Sequence, residues 1–263
     1  MTTYENKIIC DECSVALSKF PDEIIDLTVT SPPFDNLRKY EGFDFCFENI
    51  AQQLYRVTKE GGIVVWVVAD ATVNLSETGS SFQQALRFKE IGFNLHDTMI
   101  YMRNAITNPS KLRYYNCFQY MFILSKGRPK TVNLIKDHKN KTAGKKATAK
   151  YQRKKMGGFE VRSAYKEGRV RPEYSARWNV WTYSVGSLCM AEDRLWVDHP
   201  AVFPLKLAED HIISWSNPED LVLDPLMGSG QTLIAAKKLG RNYIGIDMSE
   251  EYCNLAKERL ELY

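Results

Sequence analysis

The stretch DLVLDPLMGSGQTLIAAKKLGRNYIGIDMSEEYCNLAKERLELY, from Asp220 onward, limits the fold more than any other part of the sequence. The apolar run LVL reaches a turn with Gly228 and Gly230, and the helical pattern TLIAAKKLG begins at once. A second run, YIGI, then ends on Asp247 before another helical pattern. Strand, glycine turn, helix, strand is a βαβ unit, and its crossover requires a parallel pair inside an α/β sheet. Glycines at such a turn let a ligand approach the backbone, and the helix N-terminus offers N–H groups without helical partners. Asp247 stands fifteen residues after Thr232, at the strand end where α/β nucleotide sites carry a carboxylate for ribose hydroxyls.

The rest of the chain reads as the same kind of sheet. NKIIC and IIDLTV are short strands separated by an amphipathic turn through Val15 and Leu17. Ile50 to Val57 has helical spacing, with Gly61-Gly62 predicted to close the helix. IVVWVVA is continuous enough to be a strand buried on both faces, a parallel-sheet signature. A helix through Phe82, Ala85, Leu86 and Phe88 leads to Gly92, and the β-rich runs LHDTMIYMR and FQYMFILS follow. WNVWTYSVG and a helix from about Pro204 to Trp215 precede the C-terminal unit.

At 263 residues the chain suits one main domain with a smaller insertion. No segment approaches the roughly 18 uninterrupted apolar residues of a membrane span, and MTTYENKIICDE lacks the basic and apolar regions of a secretory signal. A soluble, cytoplasmic protein without membrane association is expected. The six cysteines are too sparse for a disulfide framework. Cys10 and Cys13 form a C-x-x-C with no second pair of ligands at matching spacing, so two buried thiols at a strand end are expected and no metal.

Charge is segregated. Between Lys136 and Arg171, 13 Lys or Arg face three acids, a net +10 in a chain whose total is +3. The segment includes AGKKATAKYQRKKMGG, has few large apolar residues, and reads as a flexible arm or loop. A solvated basic loop is one reading; a polyanion partner, whose counterions Lys and Arg would release, is the sharper one.

The glycine turn is not G-x-G-x-x-G, which disfavours a hydride-carrying dinucleotide, and it lacks the Lys of a P-loop. An adenosine cofactor without a pyrophosphate fits better. S-adenosylmethionine is one, with Asp224 placed for its positively charged amino acid end and Asp247 for its ribose. DPLMGSG with Thr232 resembles the cofactor motif D-P-F-x-G-S-G-T-T of the amino DNA methyltransferases, and TSPPF, Thr30 to Phe34, resembles their catalytic [DNS]-P-P-[YFW] motif. The order, catalytic motif first and cofactor motif last, is similar to the β-class of that family, and the resemblance covers nearly the whole chain. Leu226 and Gln231 depart from the usual Phe and Thr.

The resemblance implies a Rossmann-like S-adenosylmethionine-dependent methyltransferase sheet, α/β with helices on both faces and an inserted basic recognition region. Residues 1–130 would carry the catalytic part, 131–190 the target-recognition and DNA-binding region, and 191–263 the cofactor part of the same domain. It implies cofactor contacts from Asp11, Thr30, Phe203, Pro204, Asp224, Pro225, Gly228, Ser229, Gly230, Thr232 and Asp247. Asp11 reads equally as a helix N-cap, and Phe203-Pro204 as an ordinary helix start.

An exocyclic amine is a weak nucleophile because its lone pair is delocalised, and acceptors aimed at its N–H groups favour the pyramidal form that develops in the transition state. A two-proline loop holds such acceptors rigidly and adds no competing donors. Ser31 Oγ and the Pro32 carbonyl would accept from the amine, Pro33 would fix the turn, and Phe34 would stack on a base flipped from the duplex. Asp35, Asn36, Arg38 and Tyr40 follow and read either as contacts to base or backbone or as an ordinary surface loop. His199 is too isolated to assign. DNA contacts are expected from Arg38, Lys145, Lys146, Arg153, Lys154 and Lys155. Ser before Pro-Pro leans the target toward cytosine N4 rather than adenine N6. The partner is double-stranded DNA; a cognate restriction endonuclease and a homodimer stay open. An RNA or protein amide methyltransferase is a second reading, and a non-catalytic nucleotide-fold binder a third.

Overall fold

A computed structural model of the chain describes residues 4–33, 46–105, 111–146, 148–185 and 203–263. It divides into two compact units, Met1–Asn133 with Asn179–Tyr263, and Leu134–Trp178. In the larger unit the strands of the main sheet are β1 (Lys7–Cys10), β2 (Ile25–Thr30), β3 (Thr58–Val68), β4 (Asn94–Arg103), β5 (Phe118–Ser125), β6 (Val180–Tyr183), β7 (Leu221–Asp224) and β8 (Asn242–Asp247). The helices are α1 (Cys13–Ser18), α2 (Phe47–Val57), α3 (Ser80–Ile91), α4 (Leu205–Trp215), α5 (Gln231–Lys238) and α6 (Glu250–Glu261). These strands form one sheet in the order β1-β8-β7-β2-β3-β5-β4-β6. The sheet is parallel except for β5, which runs against both β3 and β4.

From the centre the chain winds both ways. β2 passes through α2 to β3 on one side, while β7 passes through α5 to β8 on the other. Right-handed crossovers in opposite directions put those helices on opposite faces. α1, α2 and α3 pack in sequence on one of them, and α4, α5 and α6 form the second group. β3 accordingly carries Ile63, Val64, Val65, Trp66 and Val67 almost wholly buried. Each such side chain contributes about 1.5–3 kcal/mol on burial.

Two local expectations are corrected, and the helix through Phe82 to Phe88 forms as expected with a narrower buried side. Gly61-Gly62 does not close α2: Thr58 is already extended, and β3 runs through both glycines. Gly61 has φ +80°, a Cβ there would meet Lys130 Cβ at 2.8 Å, and its N–H donates to Lys126 O at 2.7 Å. The glycine pair is therefore an irregularity within the strand. Phe82 and Leu86 are exposed while Ala85 and Phe88 are buried, so the apolar side of α3 is narrower than its sequence pattern. Of the C-x-x-C thiols only Cys13 is buried, because Cys10 is exposed on edge strand β1.

The basic unit is not a flexible arm. Tyr151–Arg153 pairs antiparallel with Phe159–Val161, and His138–Lys139 with Tyr174–Ser175. A short helix, Ser163–Lys166, lies between them in sequence, and Trp178 stacks on His138 at 4.4 Å. With little apolar area to bury, the unit is held by backbone pairing and polar contacts such as Arg177 to Asp137. No helix among the described residues is long and apolar enough to cross a membrane.

Candidate active site

The strand order reverses between β7 and β2, and ligands of open α/β sheets bind beyond the carboxyl ends of the strands at such a switch point. Leu223 pairs with Thr28 and Thr30 with Trp66. The loop Ser31-Pro32-Pro33 and the turn from Asp224 to Gly230 therefore leave the sheet side by side, although almost two hundred residues separate them in the chain. Pro32 is buried, and Ser31 and Pro33 are half-buried. Phe34 and Arg38, with Asp35, Asn36 and Tyr40, lie outside the described residues, as does His199.

Buried hydroxyls join the two loops. Thr30 Oγ1 donates to Asp224 Oδ1 at 2.7 Å, and Thr232 Oγ1, in the first turn of α5, donates to Val29 O at 3.0 Å. Both threonines are fully buried, and these hydroxyls brace β2 against the glycine turn. Asp224, 2% exposed, also accepts from Leu226 N–H at 3.2 Å. Burial pushes its carboxyl up to about 6, opposed by the nearby hydroxyls of Thr30 and Thr232 and by the Leu226 N–H, and reinforced by nearby Asp247. Those donors are all neutral. A buried carboxylate held by neutral donors gains most from a ligand that brings a positive charge.

The glycine turn is built around Asp247. Its Oδ2 accepts from Gly228 N–H and its Oδ1 from Ser249 N–H, each at 2.9 Å. Burial raises this carboxyl too, against the pull of those backbone donors. Met227 N–H donates to Ile246 O, and Gly230, at φ +82°, precedes α5. A Cβ on Gly230 would meet Ala256 Cβ of α6 at 3.0 Å, and one on Gly245 would meet Met227 Sδ at 2.4 Å. Both glycines thus admit close packing behind the turn. Pro225 and Ser229 are buried in the same turn.

Asp11 follows β1, and its N–H donates to Asp247 O at 3.1 Å, which brings it beside the turn. Its carboxylate pairs with Lys19 at 2.7 Å, and that hydrogen bond is the main reason its acidity rises. The N-cap of α1 is Glu12, which accepts from Ser14 and Val15 N–H. Phe203 and Pro204 immediately precede α4. Phe203 O accepts from Gln231 Nε2 at 3.1 Å, so this segment also reaches the site. Lys145, Lys146, Arg153, Lys154 and Lys155 are all exposed in the separate basic unit. The sequence gives Gly245 and Arg259 no role, and marks Gln231 only as a departure from the resembled motif. The signal available was the spacing of Ala256 and Arg259, which puts them on one face of α6, toward the turn.

This arrangement defines a Rossmann-like α/β sheet of the methyltransferase kind, with its ligand crevice at the β7–β2 switch. A family model, the N6/N4 methyltransferases described as DNA methylase, matches residues 25–258. The orphan methyltransferase M.BamHII of Bacillus amyloliquefaciens is 56% identical over 242 residues, spanning 92% of this chain and 91% of its own. Among solved structures, the cytosine-N4-specific PvuII DNA methyltransferase superposes with a TM-score of 0.69 at 22% identity, covering 98% of this chain and 87% of its own. The complex of M1.HpyAVI with SAM superposes at 0.62 and 22% identity, covering 97% and 99%. The chain belongs to the N6/N4 DNA methylase family and is a DNA amino methyltransferase.

Proposed function

We propose that the chain transfers a methyl group from S-adenosylmethionine to the N4 amino group of a cytosine flipped out of double-stranded DNA. The observation that carries this reading is the strand pairing and the Thr30–Asp224 hydrogen bond that set the start of the Ser31-Pro32-Pro33 loop beside the Asp224–Gly230 turn at one switch point. The choice of cytosine rests on Ser31 in Ser-Pro-Pro-Phe. When bound, the cofactor supplies a methyl group already activated on a sulfonium.

The chain's own residues do the rest. Gly228, Ser229 and Gly230 border the cofactor's place at the start of α5, Asp247 is placed for the ribose, and Asp11 for the rim of the adenine. Pro225 holds the turn, Phe203 and Pro204 flank the methionine chain, and buried Asp224 answers its ammonium charge. Ser31 Oγ and Pro32 O accept from the target amine, Pro33 keeps them fixed, and Phe34 stacks on the base. Among the described residues Ser31 Oγ has no hydrogen-bond partner within the chain, which leaves it free to accept. Residues 1–130 and 191–263 form the catalytic domain in this reading. Residues 131–190, which contain the compact basic unit, read the target.

Incubation with labelled cofactor and unmethylated duplex DNA, followed by nucleoside digestion, is expected to place label in N4-methylcytosine. Label in N6-methyladenine replaces the base, and label in RNA or protein alone removes the reading. Neutralising Lys145, Lys146, Lys154 and Lys155 together is expected to flatten the dependence of log K for DNA on log salt, by about 0.9 for each phosphate that is no longer neutralised. An unchanged slope in a filter-binding titration would reduce the unit to a solvated surface.

Asp224 makes cofactor affinity depend on pH. In the free protein its carboxyl is raised from 3.8 to about 6. The folded state therefore holds this proton more tightly than the unfolded chain. The stability so gained is complete below the unfolded value and lost as pH rises through 6. A cationic ligand reverses the preference. Affinity is thus expected to fall about tenfold from pH 7.5 to pH 5 if the ligand restores an ordinary carboxylate. Calorimetry in two buffers of different ionisation enthalpy should register proton release on binding below pH 6, and pH-independent affinity would separate Asp224 from the ligand.

A further inference from the structure

Behind the glycine turn lies a charged side chain with no part in the chemistry above. Arg259 of α6 is fully buried. Its guanidinium donates to Ser229 O at 2.5 Å and to Gln231 Oε1 at 2.7 Å. Gln231 is itself only 4% exposed, and its Nε2 donates to Phe203 O at 3.1 Å. The orientation of the amide is fixed by its neighbours: a guanidinium can only donate, so the amide oxygen must face it, and a carbonyl can only accept, so the amide nitrogen must face Phe203. One continuous chain of hydrogen bonds therefore runs from α6 through the first residue of α5 to the segment that begins α4. It also grips the turn itself at Ser229.

Burying a guanidinium is costly, and packing alone would be served as well by an apolar side chain. What an arginine adds here is direction, since its planar fork reaches two acceptors at once and fixes where each points. The residue it orients is also one of the two at which this chain departs from the resembled motif, Gln in place of Thr. Threonine is too short to bridge Arg259 and Phe203 in this way.

We propose that Gln231 and Arg259 are positioning residues that tether the Phe203–Pro204 segment to the glycine turn and so set how firmly that segment holds the cofactor. The proposal rests on the cofactor reading given above. It assigns α6 the task of holding together two parts of the pocket that are far apart in sequence.

Gln231→Glu isolates the tether. A carboxylate keeps an acceptor for Arg259 and removes the donor to Phe203. With the full-length protein, the S-adenosylmethionine Kd measured by calorimetry is expected to rise about tenfold, the loss of one buried hydrogen bond. Turnover at saturating cofactor should stay within about twofold, since uniform binding and not the transition state is affected. Gln231→Thr, which removes both hydrogen bonds, should weaken binding at least as much. If Gln231→Glu lowers the thermal midpoint below the assay temperature, Gln231→Met keeps the volume without the charge and carries the same expectation. Wild-type affinity in a folded Gln231→Glu or Gln231→Met overturns the tether and leaves the cofactor reading intact. Failure of the wild-type protein to bind S-adenosylmethionine overturns the cofactor reading itself.

Discussion

Ser31→Ala is expected to lower kcat about 10²–10³-fold, the range seen when one preorganised polar group is removed from a transition state. Cofactor affinity should stay close to that of the wild type. The reason lies in the construction of the site. Thr30, the residue before Ser31, is anchored to Asp224 at 2.7 Å, so the backbone that presents Ser31 is held independently of its hydroxyl. Removing the hydroxyl therefore deletes an acceptor without moving the loop. Pro32→Ala keeps its carbonyl but frees φ, and should cost less, about tenfold, through lost rigidity. Single-turnover kinetics at saturating cofactor, with separate calorimetry, divides the two quantities. Unchanged turnover in both variants would reject the role of the loop.

Asp247→Ala should act on the other half of the cycle. Asp247 accepts from Gly228 and Ser249 N–H at 2.9 Å each, so its loss leaves two backbone donors short and releases the turn as well as removing the group placed for the ribose. Hydrogen bonds to a charged group contribute about 1.5–3 kcal/mol each, which predicts a loss of cofactor affinity of about 10²-fold or more, seen by calorimetry. Asp247→Asn retains one acceptor oxygen and should recover part of it. Raising the cofactor concentration should restore turnover in Asp247→Asn but not in Ser31→Ala. If Asp247→Ala binds cofactor as the wild type does, the ribose assignment fails.

Much of this architecture was legible because local chemistry and global fold agree at the places that matter. LVLD, the glycine turn and YIGID announce a βαβ unit through punctuation alone, and two prolines after IIDLTV mark where a buried strand must stop. What could not be read was anything set by contacts across the sheet. Thr30 and Thr232 carry no sign in sequence that their hydroxyls serve Asp224 and Val29. Gly61-Gly62 has the look of a helix stop, yet the pairing of Lys126 with both glycines keeps them within β3. The basic insert has too few apolar residues to advertise a fold, and local strand pairing orders it all the same. Gln231 has the look of a harmless departure until Arg259 is seen behind it.

The pairing of β7 with β2 also governs how the molecule comes into being. On the ribosome, β2 is among the earliest strands made, yet its partner on one side arrives some two hundred residues later, as the 194-residue separation of Thr30 and Asp224 attests. Until then the middle of the sheet has an open, apolar edge, and closing so long a loop is slow. A nascent chain that has emerged only as far as the basic unit thus holds the Ser31-Pro32-Pro33 loop without the strand that braces it. On the roles proposed above for the basic unit and the loop, such a chain has the means to touch DNA before it has the means to modify it, so the order of synthesis keeps chemistry as the last property acquired.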